Sequence, residues 1–144
     1  MRNAMSIQLA SGNAGSSQRG RRIMTSILWI VQGLLALLFL FTGSMKLVLP
    51  IEVMMQQMPL PLPGLFLRFL GTAEVTGALG LLLPGLLRIR PGLTPLAACG
   101  LVIIMSGATV VTLAGGEVAA ALIPLVVGLL CALVAYGRRS WGWA

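Results

Sequence analysis

Four long apolar runs constrain this chain more than any other feature of its sequence. They cover about 23–49, 65–87, 93–114 and 118–136, and each is long enough to cross a hydrocarbon core of about 30 Å as a helix. Within lipid, a helix satisfies its own backbone hydrogen bonds, which an isolated strand does not. With 58% hydrophobic and 9% charged residues, the sequence therefore predicts an all-α fold, an integral membrane four-helix bundle.

The residues outside these runs define the ends of the predicted bundle. Residues 1–22 are rich in Ser, Gly, Asn, Gln and Arg, which predicts a disordered basic N-terminal tail because such a segment has little to bury. The first apolar run is too long for a signal peptide, so we expect an uncleaved membrane helix. The predicted organisation is the tail, a bundle at 23–139 and a C-terminal cytoplasmic tail at 140–144.

Basic residues flank the apolar runs so that one side of the predicted bundle collects most of them. These are Arg19, Arg21, Arg22, Arg88, Arg90, Arg138 and Arg139. The positive-inside rule makes this side cytoplasmic, which predicts a multi-pass protein of the bacterial inner (plasma) membrane with both termini in the cytoplasm. The aromatic residues expected as interfacial anchors lie near the same face: Trp29, Tyr136, Trp141 and Trp143. The net charge of +7 is explained by these flanks, so the expected partner is the lipid bilayer and not nucleic acid.

The sequence contains no His, and only three of its residues are acidic. Triads built on His, zinc hydrolase chemistry and His-ligated haem are therefore excluded. Its two cysteines lie within apolar runs and do not form a metal-binding spacing. We expect no catalytic residues, no metal site and no tightly held cofactor, although a bound quinone or lipid stays open.

Glu74 is the most unusual residue, because it lies inside an apolar run with no other acid within about twenty residues on either side. Lys46 lies near the outer end of the first predicted helix, and Glu74 about two turns into the second. Helical side chains lean toward their own N-terminus, so these two lean toward each other. The remaining difference in depth is about 6 Å at 1.5 Å per residue, which two long side chains can span. We therefore predict a Lys46–Glu74 pair, direct or bridged by water or ligand.

Such a pair is either a structural clamp between the first two helices or a binding or proton-handling site. A protonated, isolated Glu74 is the third possibility. We expect Arg68 to point outward to the interface and to pair weakly with Glu52. The small residues Gly43, Gly77 and Gly80 predict close helix packing around the polar pair, with a groove for a lipid tail or quinone as the alternative.

Two motifs in this region resemble the DoxX-like family of small four-helix membrane proteins. Thr42-Gly-Ser-Met-Lys-Leu47 is similar to the Gly-x-x-Lys-Leu that ends the family's first helix. The stretch from Glu74 to Leu81 is similar to its Glu-x-x-Gly-Ala-Leu-Gly-Leu segment, and Tyr136-Gly-Arg138 to its C-terminal finish. The resemblance covers about 28–138. It implies the following signature positions: Gly43, Lys46, Glu74, Gly77 and Gly80.

The resemblance implies a membrane protein whose activity is poorly defined. Relatives are linked to quinone-coupled sulfur oxidation, to membrane complexes of redox stress and, in animals, to chaperoning of receptor channels. We predict a non-catalytic accessory or small-ligand-binding membrane subunit organised around Lys46 and Glu74, with a membrane protein partner or an oligomer as its context. The alternatives are a membrane subunit of a quinone-linked oxidoreductase and a small proton-coupled transporter.

Overall fold

The chain forms five helices and no strand within the residues that its structure, a computed structural model, describes, namely 1–58, 60–90 and 92–139. They are α1 (Arg2–Val48), α2 (Ile51–Gln56), α3 (Gly64–Leu87), α4 (Leu93–Ala114) and α5 (Val118–Arg138). All but α2 are long and apolar enough to cross a membrane. The predicted all-α membrane bundle is thereby confirmed. The C-terminal tail predicted at 140–144, with Trp141 and Trp143, lies outside the described residues.

The chain divides into two compact units, Met1–Ile30 and Val31–Ala144. The first unit is the N-terminal part of α1, and it differs from the disordered tail predicted at 1–22. It is helical from Arg2 onward, with every side chain up to Ile27 exposed. Its serine hydroxyls donate to carbonyl oxygens three or four residues earlier in the same helix.

The second unit buries a core contributed by all four long helices. Its members are Leu35, Ala36, Phe39, Ala78, Leu81, Ala98, Leu101, Met105, Cys131 and Val134. Many other large apolar side chains, such as Phe41 and Ile103, are exposed. A soluble monomer rarely carries so much exposed apolar surface, whereas in a bilayer this surface is in contact with lipid tails.

Short turns connect neighbouring helices in the second unit. α4 packs along α5, and the two helices are joined by a turn at Gly115 and Gly116. Gly116 has a φ of +86°, a conformation that favours glycine. α3 packs along α4, and the turn between them begins at Arg88. Arg88 is the C-cap of α3: its backbone is in the left-handed region, and its N–H donates to the Pro84 carbonyl oxygen. α2 lies against the start of α3, where Gly64 faces Ile51.

Glycines set two close helix contacts in the second unit. A Cβ on Gly43 of α1 would lie 2.8 Å from the carbonyl oxygen of Gly71 on α3, so these two backbones meet with no side chain between them. Gly77 and Gly80 lie at a different contact, that of α3 with α4. A Cβ on either would come within 2.7 Å of Leu101 or Ala97. Of the three predicted packing glycines, only Gly43 therefore lies where α1 meets α3.

The α1–α3 contact should not tolerate a methyl group. Gly43→Ala is expected to lower the free energy of unfolding by about 1–3 kcal/mol through overpacking. Gly33→Ala is the matched control, because a Cβ there has no neighbour within 4 Å and alanine favours the helix. Thermal unfolding in detergent measures both variants. Equal stability of the two would contradict the close contact.

Candidate functional site

Lys46 and Glu74 form an ion pair at the junction of α1 and α3. The Lys46 ammonium donates to Oε1 of Glu74, whose side chain is 1% exposed, against 29% for Lys46. Lys46 and Glu74 each follow, by three residues, the glycine of their own helix at the Gly43–Gly71 contact. Close approach of the two backbones therefore places the two charged groups within hydrogen-bonding reach.

Thr42 also hydrogen-bonds to the Glu74 carboxylate. Its hydroxyl donates to Oε2 of Glu74 at 3.1 Å, so both carboxylate oxygens accept a hydrogen bond from α1. Thr42 precedes Lys46 by four residues, and residues four apart share a helix face. That spacing is the signal by which the sequence could have indicated Thr42.

Arg68 caps the C-terminal end of α1. Its Nη1 donates to the carbonyl oxygen of Lys46 at 3.0 Å and also to that of Leu47. The last carbonyls of a helix lack partners within the helix and interact favourably with cations. Within the described residues Arg68 forms no ion pair with Glu52, so that predicted pair is not found. Arg68 instead fixes the backbone that carries Lys46.

A cavity of about 360 Å³ borders the ion pair. Both Lys46 and Glu74 line it, while α3, α4 and the connection before α3 form its other walls. The apolar residues of its lining include Phe66, Phe69, Leu70, Ile103, Gly107 and Val111. A second cavity of about 360 Å³, between α1 and α2, is also lined by Lys46. Lys46 therefore borders two cavities, and Glu74 one.

The cavity beside Glu74 offers hydrogen-bonding groups to a ligand. An ammonium has three donors, of which the contact with Glu74 uses one, and the Lys46 side chain is 29% exposed, whereas that of Glu74 is only 1% exposed. Among the described residues, no three His, Cys, Asp or Glu side chains cluster as a metal site would require. The chemistry that this arrangement supports is binding of a small polar group next to an apolar wall.

A second buried polar centre, which sequence reasoning missed, joins α1, α3 and α5. Gln32 donates from Nε2 to the carbonyl oxygen of Leu81 at 2.7 Å, and Arg138 donates from Nε to Oε1 of Gln32 at 2.6 Å. Gln32 is 0% and Arg138 1% exposed. From the sequence, Arg138 is predicted only as a charge at the membrane interface, whereas its side chain is buried in the bundle. The available signal was Gln32, an amide within an apolar run.

The ion pair should show strong energetic coupling. Glu74→Gln and Lys46→Met are each expected to destabilise the protein by about 1–3 kcal/mol, because each leaves a buried polar partner unsatisfied. The double variant should recover part of the summed loss. Thermal unfolding in detergent gives the three values. Glu117→Gln is the control, since Glu117 is exposed and forms no side-chain cap. Additive losses would contradict direct pairing.

Comparison with known proteins agrees with the architecture. The sequence profile of the DoxX-like family matches residues 30–134, which includes most of the four long helices. No curated protein and no solved structure matches the chain. The matched region contains Gly43, Lys46, Glu74, Gly77 and Gly80. With four helices suited to crossing a bilayer, this chain is a multi-pass membrane protein and belongs to the DoxX-like family.

Proposed function

We propose that this protein is an accessory membrane subunit that binds a small ligand at the Lys46–Glu74 pair. The observation that supports this proposal is the cavity of about 360 Å³ that Lys46 and Glu74 line. Its volume lies within the range of about 300–1,000 Å³ typical of ligand sites. Its lining also has their usual composition, with a few polar groups set in an apolar wall.

The polar groups of the site are held in place before any ligand arrives. Thr42 and Lys46 hold the Glu74 carboxylate from α1, while Arg68 holds the end of α1 itself. A ligand therefore does not have to order these side chains, and such preorganisation favours binding. A structural clamp would require the same ion pair but no space beside it.

A quinone-linked role is our second candidate, and the same cavity favours it. Phe66 and Phe69 border the cavity with ring centroids 6.5 Å apart, which provides an aromatic wall for a planar head group. The Lys46 ammonium would donate a hydrogen bond to a quinone oxygen. A quinone would supply the redox chemistry, and this chain would bind and orient it as the membrane subunit of an oxidoreductase.

We propose the bacterial inner membrane as the location, with both termini cytoplasmic. Arg88 and Arg90 at the α3–α4 turn are exposed, as is Arg139 after α5, and such charges favour the cytoplasmic side. Arg139 also stacks over the Tyr136 ring at 3.9 Å, as in an interfacial anchor.

A C-terminal green fluorescent protein fusion should fluoresce in bacterial cells. An active C-terminal alkaline phosphatase fusion would contradict this topology.

Filling the cavity tests the proposed function. Gly107 lines the cavity, and a Cβ there has no neighbour within 4 Å, so Gly107→Leu should occupy the space without disturbing the helix contacts. We expect the wild-type protein in native nanodiscs to be enriched in a lipid-soluble small molecule relative to the bulk membrane. Gly107→Leu should lose that enrichment. Mass spectrometry of the organic extract measures it, and a reducible ultraviolet absorbance would identify a quinone.

Gly33→Leu provides the matched control, because Gly33 also has open space around its Cβ position and borders neither cavity at the ion pair. It should retain the enriched molecule. Both variants should keep the wild-type melting temperature in detergent. Identical extracts from the wild-type protein and Gly107→Leu would contradict a ligand in this cavity.

A further inference from the structure

An apolar groove lies next to the cavity beside Glu74. This groove has a volume of about 710 Å³, runs between α3 and α4, and shares the walls Phe69 and Ile104 with that cavity. Along α3 it extends from Phe69 to Pro84, or about 22 Å at the helical rise. Other residues that line it include Thr72, Ala73, Thr76, Gly80, Leu96 and Gly100.

The groove offers apolar contact and almost no hydrogen bonding. The hydroxyls of Thr72 and Thr76 donate to carbonyl oxygens four residues earlier in α3, at 3.0 and 2.8 Å. Leu96 on its wall is 66% exposed, so the groove opens toward lipid. The groove is therefore suited to a hydrocarbon chain that enters sideways from the bilayer.

The cavity favours an uncharged polar group. Lys46 and Glu74 already neutralise each other, so a charged head group would leave a net charge in a medium of low dielectric constant, at considerable cost. A hydroxyl or carbonyl oxygen instead accepts from the Lys46 donors that the pair does not use. The cavity and groove thus differ in chemistry and meet at their shared walls, Phe69 and Ile104.

We propose that the cavity and the groove form one site for an amphiphile with a small uncharged head group and a long apolar chain. The head group binds beside Lys46 and Glu74, and the chain passes between Phe69 and Ile104 and lies between α3 and α4. This inference rests on the proposed function, because the head-group part is the same cavity. It adds the class of ligand and the path of its chain.

Photocrosslinking in nanodiscs tests the proposal with two probes that differ in chain length. One is 1-hexadecanol with a diazirine midway along its chain, and the other is 1-butanol with a diazirine. Competition by the unlabelled alcohol separates saturable labelling from random labelling by bulk lipid. Three variants each add a leucine where a Cβ has open space. Gly100→Leu fills the groove, Gly107→Leu fills the cavity, and Gly33→Leu is the matched control.

In the wild-type protein and Gly33→Leu, we expect hexadecanol to label groove residues of α3 and α4 saturably. Butanol should label residues beside Glu74. Gly100→Leu should lose the saturable hexadecanol labelling and keep the butanol labelling, because it blocks only the chain. Gly107→Leu should lose both. Peptide mass spectrometry locates the label in the wild-type protein, and this readout does not depend on any variant.

The possible failures are distinguishable. If hexadecanol shows no saturable labelling in the groove, or if Gly100→Leu leaves it unchanged, the proposed chain path is overturned. The ligand cavity then stands, provided that butanol labelling is still lost in Gly107→Leu. If Gly107→Leu leaves butanol labelling unchanged, the proposed function fails together with this inference.

Discussion

The ion pair between Lys46 and Glu74 is the interaction on which the rest of this structure depends. An unpaired charge within a bilayer costs at least about 2.5 kcal/mol, so either residue alone would oppose insertion of its helix. Pairing requires α1 and α3 to approach closely, which Gly43 and Gly71 permit one turn away. Arg68 then fixes the end of α1 through its carbonyls. Helix packing and charge pairing therefore fix the positions of the same two side chains, Lys46 and Glu74. These two residues are polar groups in the wall of the cavity.

The bundle combines two kinds of helix contact. Polar bonds hold α1 to α3 at Glu74 and again at Gln32, which Arg138 connects to α5. The α3–α4 contact is an apolar one in which Gly77 and Gly80 let the helices approach. Both the cavity and the groove border this apolar contact. The polar bonds thus fix the positions of Lys46 and Glu74, while apolar walls of α3 and α4 form the groove.

The helices and the ion pair were predictable because each follows from local constraints. Length and hydropathy place α4 at Leu93–Ala114, the range that the sequence predicts. Lys46 and Glu74 are isolated charges whose depths follow from the helical rise. The direction of Arg68 was not predictable, because it depends on the rotation of α3 about its axis. Nor was the burial of Arg138, whose partner Gln32 lies 106 residues away in sequence. Cavities depend on the packing of several helices at once, so no single segment indicates them.

The most direct test is the distance between Lys46 and Glu74 in a lipid bilayer. Lys46 is the only lysine in the sequence, so lysine labelled with nitrogen-15 reports this one ammonium group, and glutamate labelled with carbon-13 reports three carboxyl groups. Solid-state NMR dipolar recoupling should place one carboxyl carbon within about 4 Å of the ammonium nitrogen, as in an ion pair. Glu74→Gln should remove that coupling. No measurable coupling in the wild-type protein would contradict an ion pair at the centre of the bundle.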